Sequence, residues 1–158
     1  MTKGNIIAGI IWLALVGLIY HLADGLINPN KAAVLGSSNS VVLQRGPDGH
    51  YRAEAIINGK KVNVLVDTGA TDVAVSQNIA NQLNLTSHTA ITTNTANGNS
   101  IAYITRLDSV KIGGVEAKDV SAVIAPGLQG NVLLGMSYLG RMDVRLFQNT
   151  MTIKQIEE

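Results

Sequence analysis

Cysteine is absent from the 158 residues, which excludes a disulfide framework and any thiolate metal site. Aromatic residues make up only 4% of the chain and the formal net charge is +1. Neither a base-stacking surface nor a basic patch is therefore on offer to nucleic acid. Histidine is sparse as well. His21, His50 and His88 stand far apart with no H-x-x-x-H pair, and they read as solvent or loop residues rather than metal ligands. No repeat, low-complexity tract or Walker loop is present, and no metal or cofactor is expected.

Charge is missing from one long stretch. Ile6 to Ala23, IIAGIIWLALVGLIYHLA, runs 18 residues without Asp, Glu, Lys or Arg. As a helix it would be about 27 Å long, close to the hydrocarbon thickness of a bilayer. Tyr20 and His21 near its far end suit the interface. A cleaved signal peptide would call for small residues at its cleavage site, and His21-Leu22-Ala23 is a poor match. A core helix is rarely apolar on every face. The run therefore reads as an uncleaved anchor over residues 1–27, its amino end in the cytoplasm and the globular part outside. Asn28 to Ser40, NPNKAAVLGSSNS, reads as a tether. The folded domain is expected over 41–158.

Beyond the tether the signals are those of short strands. Val41 to Arg45 and His50 to Ile57 flank Gly46-Pro47-Asp48-Gly49, which predicts a hairpin. Asn58-Gly59 predicts a tight two-residue turn, since both central residues need positive φ. Val62, Val64 and Val66 alternate with Lys61, Asn63 and Leu65, giving one firmly apolar face. A short helix follows, with Ser76 as N-cap and Ile79, Ala80 and Leu83 on one side. Ile91 to Thr95 and Ser100 to Arg106 flank Ala96-Asn97-Gly98-Asn99, a further hairpin. Leu107 to Ile112 and Val115 to Ile124 meet at Gly113-Gly114. Val132-Leu133-Leu134 ends at Gly135, Met136 to Leu139 forms a helical turn, and Val144 to Phe147 meets Thr150 to Ile153 through Gln148-Asn149. This pattern predicts an all-β barrel with one or two short helices.

The chemistry concentrates at Val64-Leu65-Val66-Asp67-Thr68-Gly69-Ala70-Thr71. An aspartate directly after three large apolar residues is costly to bury ionised. Gly69 permits a sharp turn and the Thr68 hydroxyl is expected to hold it through the backbone. Such a loop presents one carboxylate in a partly dry cavity. Of eleven acidic residues only Asp67 has this setting. Asp24-Gly25 and Asp48-Gly49 lack the intervening hydroxyl residue, while Asp72, Asp108, Asp119 and Asp143 lack the following glycine and are expected to face solvent.

The segment resembles the active-site loop of the aspartic peptidases, and the layout of anchor plus one lobe is similar to the bacterial membrane-anchored retropepsin-like proteases. The resemblance covers about Tyr51 to Thr152. It places the hairpin tip Ala96, Asn97 and Gly98 where that family keeps its flap, and Leu133-Leu134-Gly135 plus a short helix in the second half of its ψ-shaped core. Thr71 stands where retroviral enzymes often have Asp. The tip has one glycine and no tyrosine, Tyr103 being several residues farther on. The resemblance implies an endopeptidase of peptide or protein substrates, with Asp67 catalytic and Thr68, Gly69 and Ala70 as its loop. One motif copy implies a homodimer that supplies two carboxylates. It also implies a periplasmic domain on a bacterial inner membrane.

Three alternatives compete. Asp67-x-Gly69-x-Thr71 fits the phosphate loop of actin-like ATPases, whose two large domains about 115 soluble residues cannot supply. Gly135-Met136-Ser137-Tyr138-Leu139-Gly140 approaches the hydrolase elbow G-x-S-x-G but is one residue too long. A domain of the same fold that binds peptide or protein without cutting it is the remaining one.

Overall fold

The computed structural model describes residues 3–27, 39–95 and 98–156. The apolar run forms one helix, α1 (Lys3–Ile27). Its stretch Ile6–Gly25 is long and apolar enough to cross a membrane, and none of that stretch is buried inside the protein. Of the tether, residues 28–38 lie outside the described residues.

Ten strands and two short helices make up the domain: β1 (Ser40–Gln44), β2 (Tyr51–Ile57), β3 (Lys60–Val66), β4 (Val73–Ser76), α2 (Gln77–Gln82), β5 (Ala90–Thr95), β6 (Gly98–Ile112), β7 (Val115–Ala125), β8 (Val132–Leu134), α3 (Met136–Leu139), β9 (Met142–Phe147) and β10 (Thr150–Gln155). A seven-stranded sheet runs β2-β3-β8-β4-β7-β6-β5 and curls so that β2 also pairs with β6. A second sheet of three strands runs β1-β10-β9. This is the expected all-β barrel, with α2 and α3 as its short helices.

Local turn chemistry explains the hairpins. Asn58 and Gly59 both adopt positive φ, 48° and 79°, and join β2 to β3 with Ile57 opposite Lys60. Gly113, at φ 57°, turns β6 into β7. The valines of β3 bury one face, against Leu107, Leu134, Ile153 and the other core side chains. The expected break between residues 106 and 107 does not occur: β6 is one strand of 15 residues.

Two local expectations fail. The Gly46–Gly49 turn forms, with Gly49 N–H donating to Gly46 O at 2.9 Å, but the strands around it part company. β1 pairs with β10 along its whole length, and only an isolated bridge joins Arg45 to Tyr51. The inward Val41 and Leu43 are satisfied better between the two sheets than in a local hairpin. Ser76 does stand at the N-cap of α2, but its hydroxyl makes no cap bond and is buried without a partner. The serine ends buried β4, so packing rather than capping sets its side chain.

Candidate active site

Strand β3 is held between β2 and β8, and its parallel ladder with β8 ends at Val66 opposite Leu134. The next residue is Asp67, whose N–H donates to Leu134 O at 3.0 Å. The core strand thus carries the carboxylate to the rim and stops, leaving the residue half-buried. Asp67 Oδ1 accepts the Gly69 N–H at 2.9 Å, and Ala70 N–H closes the turn on Asp67 O at 3.3 Å. Gly69 matters for room: a Cβ there would stand 3.2 Å from that same carboxylate oxygen. Thr68 departs from expectation. It is exposed, and among the described residues its hydroxyl is not what holds the loop; backbone N–H groups do that.

The end of β8 locks the far side. Met136 N–H donates to Ala70 O and Ser137 N–H to Thr71 O, both at 2.8 Å. The contact is so close that a Cβ on Gly135 would lie 2.3 Å from Asp72 O and 2.6 Å from Ala70 O. Only a glycine leaves that space, which is what the Leu133-Leu134-Gly135 pattern encodes. Ser137 is no nucleophile: its hydroxyl donates to Ser121 O at 2.7 Å and accepts from Val73 N–H at 3.0 Å. It ties α3 to β4 and β7, a role its near-elbow context did not suggest.

Beside Asp67 lies a cleft of about 230 Å³, lined also by Gly49, His50, Tyr51, Leu65, Val66, Thr68, Leu146 and Met151. Asp67 is the one carboxylate lining it. Other aspartates are engaged elsewhere. Arg52, Arg106 and Arg145 bond to Asp48, Asp119 and Asp143 and hold those carboxyls below the usual range. Asp72 is half-buried and Asp108 exposed. Among the described residues no three His, Asp or Glu side chains are grouped to hold a metal ion.

The hairpin of β5 and β6 pairs Ala90 with Tyr103 through Thr95 with Gly98. Gly98 has φ 101°, and Thr95 Oγ1 donates to its carbonyl at 2.7 Å. Ala96 and Asn97 lie outside the described residues.

Residues 53–141 match the family described as "gag-polyprotein putative aspartyl protease". The chain belongs to the retropepsin-like aspartic proteases. This retropepsin-like chain is similar to a crystal structure of a retropepsin-like aspartic protease from Rickettsia conorii, with 32% identity and a TM-score of 0.66 over 73% of this chain and 90% of that one. The EIAV protease complexed with the inhibitor HBY-793 shares the fold at 22% identity and a TM-score of 0.51, over 60% of this chain and 88% of that one. An uncharacterized protein in the cobV 5′ region of Sinorhizobium sp. is 33% identical over 137 residues, 82% of this chain and 58% of its own length. An uncharacterized protein of Rickettsia prowazekii is 37% identical over 105 residues, 64% and 45% of the two lengths. The chain thus spans about half the length of these curated relatives.

Proposed function

We propose that the protein is an aspartic endopeptidase, active as a homodimer in which each chain contributes one Asp67. The observation that carries this reading is a single half-buried carboxylate, fixed by backbone bonds in Asp67-Thr68-Gly69-Ala70, on a cleft with no second acid among its lining residues. Two carboxylates held about 3 Å apart cannot both ionise and so share one proton. The charged one takes a proton from water as the water attacks the scissile carbonyl, and the protonated one donates to the carbonyl oxygen. Thr68, Gly69 and Ala70 form the loop that aims the carboxylate. Ala96, Asn97 and Gly98 form the flap tip that covers the substrate. In this reading residues 1–27 anchor the protein in a bacterial inner membrane, 28–40 tether it, and 41–158 form the protease domain on the periplasmic side.

The test uses the full chain in detergent, incubated with a peptide library from acid to neutral pH. Asp67→Asn keeps the side chain's size but strikes both halves of the dyad. Turnover is expected to fall about a thousandfold or more, equivalent to roughly 4 kcal/mol of barrier. Excess mutant chain should also poison wild type through mixed dimers. A folded, dimeric Asp67→Asn protein that still cuts at near-normal rate overturns the reading. A wild-type chain that binds library peptides without cutting them supports the non-catalytic binding domain instead.

A further inference from the structure

The Asp67 loop is fastened differently at its two ends. At the entrance Val66 stands opposite Leu134, and Asp67 N–H donates to Leu134 O at 3.0 Å, so two core strands fix the backbone there. The exit is the start of β4 at Val73, and the ladder between β4 and β8 begins only one residue later, at Ala74 opposite Leu133. The Val73 N–H instead meets a side chain, donating to Ser137 Oγ at 3.0 Å. Among the described residues, no other side chain from outside the loop bonds a residue between Asp67 and Val73.

The same hydroxyl donates to Ser121 O at 2.7 Å. Strands β4 and β7 are parallel, with Val73 opposite Ala122, so Val73 N–H and Ser121 O are a donor and an acceptor at the start of one ladder. Ser137 stands between them and serves both with one oxygen. Its own N–H donates to Thr71 O at 2.8 Å, and Met136 N–H donates to Ala70 O at the same distance. Those two bonds reach the loop only while α3 keeps its place. With four residues, α3 is too short to hold an orientation by its own hydrogen bonds. Buried Tyr138 and Leu139 fix its far side in the core, and the Ser137 hydroxyl fixes the side toward the loop.

We infer that Ser137 is a positioning residue for the Asp67 carboxylate, acting through the loop exit at Thr71 to Val73. The inference rests on the peptidase reading and deepens it. Gly69 N–H, which meets Asp67 Oδ1 at 2.9 Å, lies between the ladder-held entrance and the serine-held exit. Without the hydroxyl, Val73 N–H and Ser121 O lose their shared partner in a part-buried site, where an unmade bond is costly. The exit then shifts to recover a bond, and the turn that presents the carboxylate shifts with it. Alignment of reacting groups matters to the transition state far more than to bound substrate, so the loss falls on the chemical step.

The test uses the full chain in detergent and a library peptide that the wild type cuts. Ser137→Ala should lower kcat about tenfold or more and leave KM within about twofold. Ser137→Thr keeps the hydroxyl and should recover most of that loss. Tyr138→Phe is the control for destabilisation alone, because it removes the other side-chain bond of α3, to Val115 O, and should leave kcat unchanged. Amide resonances give a readout that needs no turnover. In Ser137→Ala the Val73 and Gly69 amide protons should both move upfield as their bonds lengthen, whereas Tyr138→Phe should move neither. A Val73 signal that moves while Gly69 stays in place would make Ser137 a strut of the barrel and overturn the inference. An unchanged kcat in folded Ser137→Ala, or equal losses from Ser137→Ala and Ser137→Thr, would overturn it too. A wild type that cuts no peptide counts against the peptidase reading, while the two amide signals still decide what Ser137 does to the loop.

Discussion

Several single atoms set the geometry around Asp67, and each makes a measurable prediction. Gly135 is required for space rather than for its dihedral angles, since φ −90° and ψ −170° suit any residue. Gly135→Ala drives a methyl into Asp72 O and Ala70 O, both backbone atoms that cannot swing aside. A cost of about 1–3 kcal/mol is expected, as for other overpacked sites. Thermal unfolding of the detergent-solubilised chain measures it, and activity should fall further than stability because the Asp67 loop moves. Tyr138 is buried and donates to Val115 O at 3.2 Å, and burial together with the Glu116 charge pushes its phenol well above the ordinary value. The folded state favours the neutral phenol, so this contribution is complete below about pH 10, the unfolded value, and is lost as pH rises past it. Tyr138→Phe should cost about 1 kcal/mol at neutral pH. It should also flatten the alkaline fall in melting temperature, and an unchanged fall would assign that loss to other groups.

At the scale of elements, the proposed flap role of the hairpin β5–β6 predicts that activity and stability respond separately to its substitution. Gly98 holds φ 101°, a region that β-branched residues avoid, while its position at the turn has open space around it. Gly98→Val should therefore strain the tip without disturbing the core. We expect kcat/KM on a library peptide to fall about tenfold while the melting temperature shifts by only a few degrees, the effect of about 1 kcal/mol. Equal losses in both would mean that the hairpin supports the barrel rather than the substrate. The Asn58-Gly59 turn makes the opposite case. It sits far along the chain from Gly98 and joins two core strands. Gly59→Ala should cost about 1 kcal/mol of stability with little change in turnover per folded molecule.

For the whole molecule, the single Asp67 motif predicts that specific activity falls on dilution. In detergent the full chain should lose activity per molecule once diluted below its dimer constant. Confinement to a membrane raises the effective concentration, so vesicle-bound protein should keep activity at dilutions that silence the micellar form. Constant specific activity from a chain shown to be monomeric would remove the dimer from the mechanism. The topology of α1 is tested separately. A reporter fused after Glu158 that functions only when exported should be active, and protein recovered from the membrane should retain Met1.

Much of this was legible locally. Period-two alternation marked Val62, Val64 and Val66, Asn58-Gly59 marked a turn whose φ values only such residues adopt readily, and Asp67 stood out because an acid ended an apolar strand. These features depend on neighbours in the chain, so neighbours reveal them. Long-range pairing was decided elsewhere. An alternating strand offers the same faces and the same backbone groups to many partners, and only the burial achieved in the complete fold selects one. So Val41 and Leu43 predicted a strand but not its partner, which is β10 rather than β2. Leu146 and Met151, nearly eighty residues and more beyond Asp67 in sequence, share its cleft only because β9 and β10 fold back beneath the loop. The amino-acid pattern determined where a carboxylate would be presented; tertiary packing decided which apolar surface would lie open beside it.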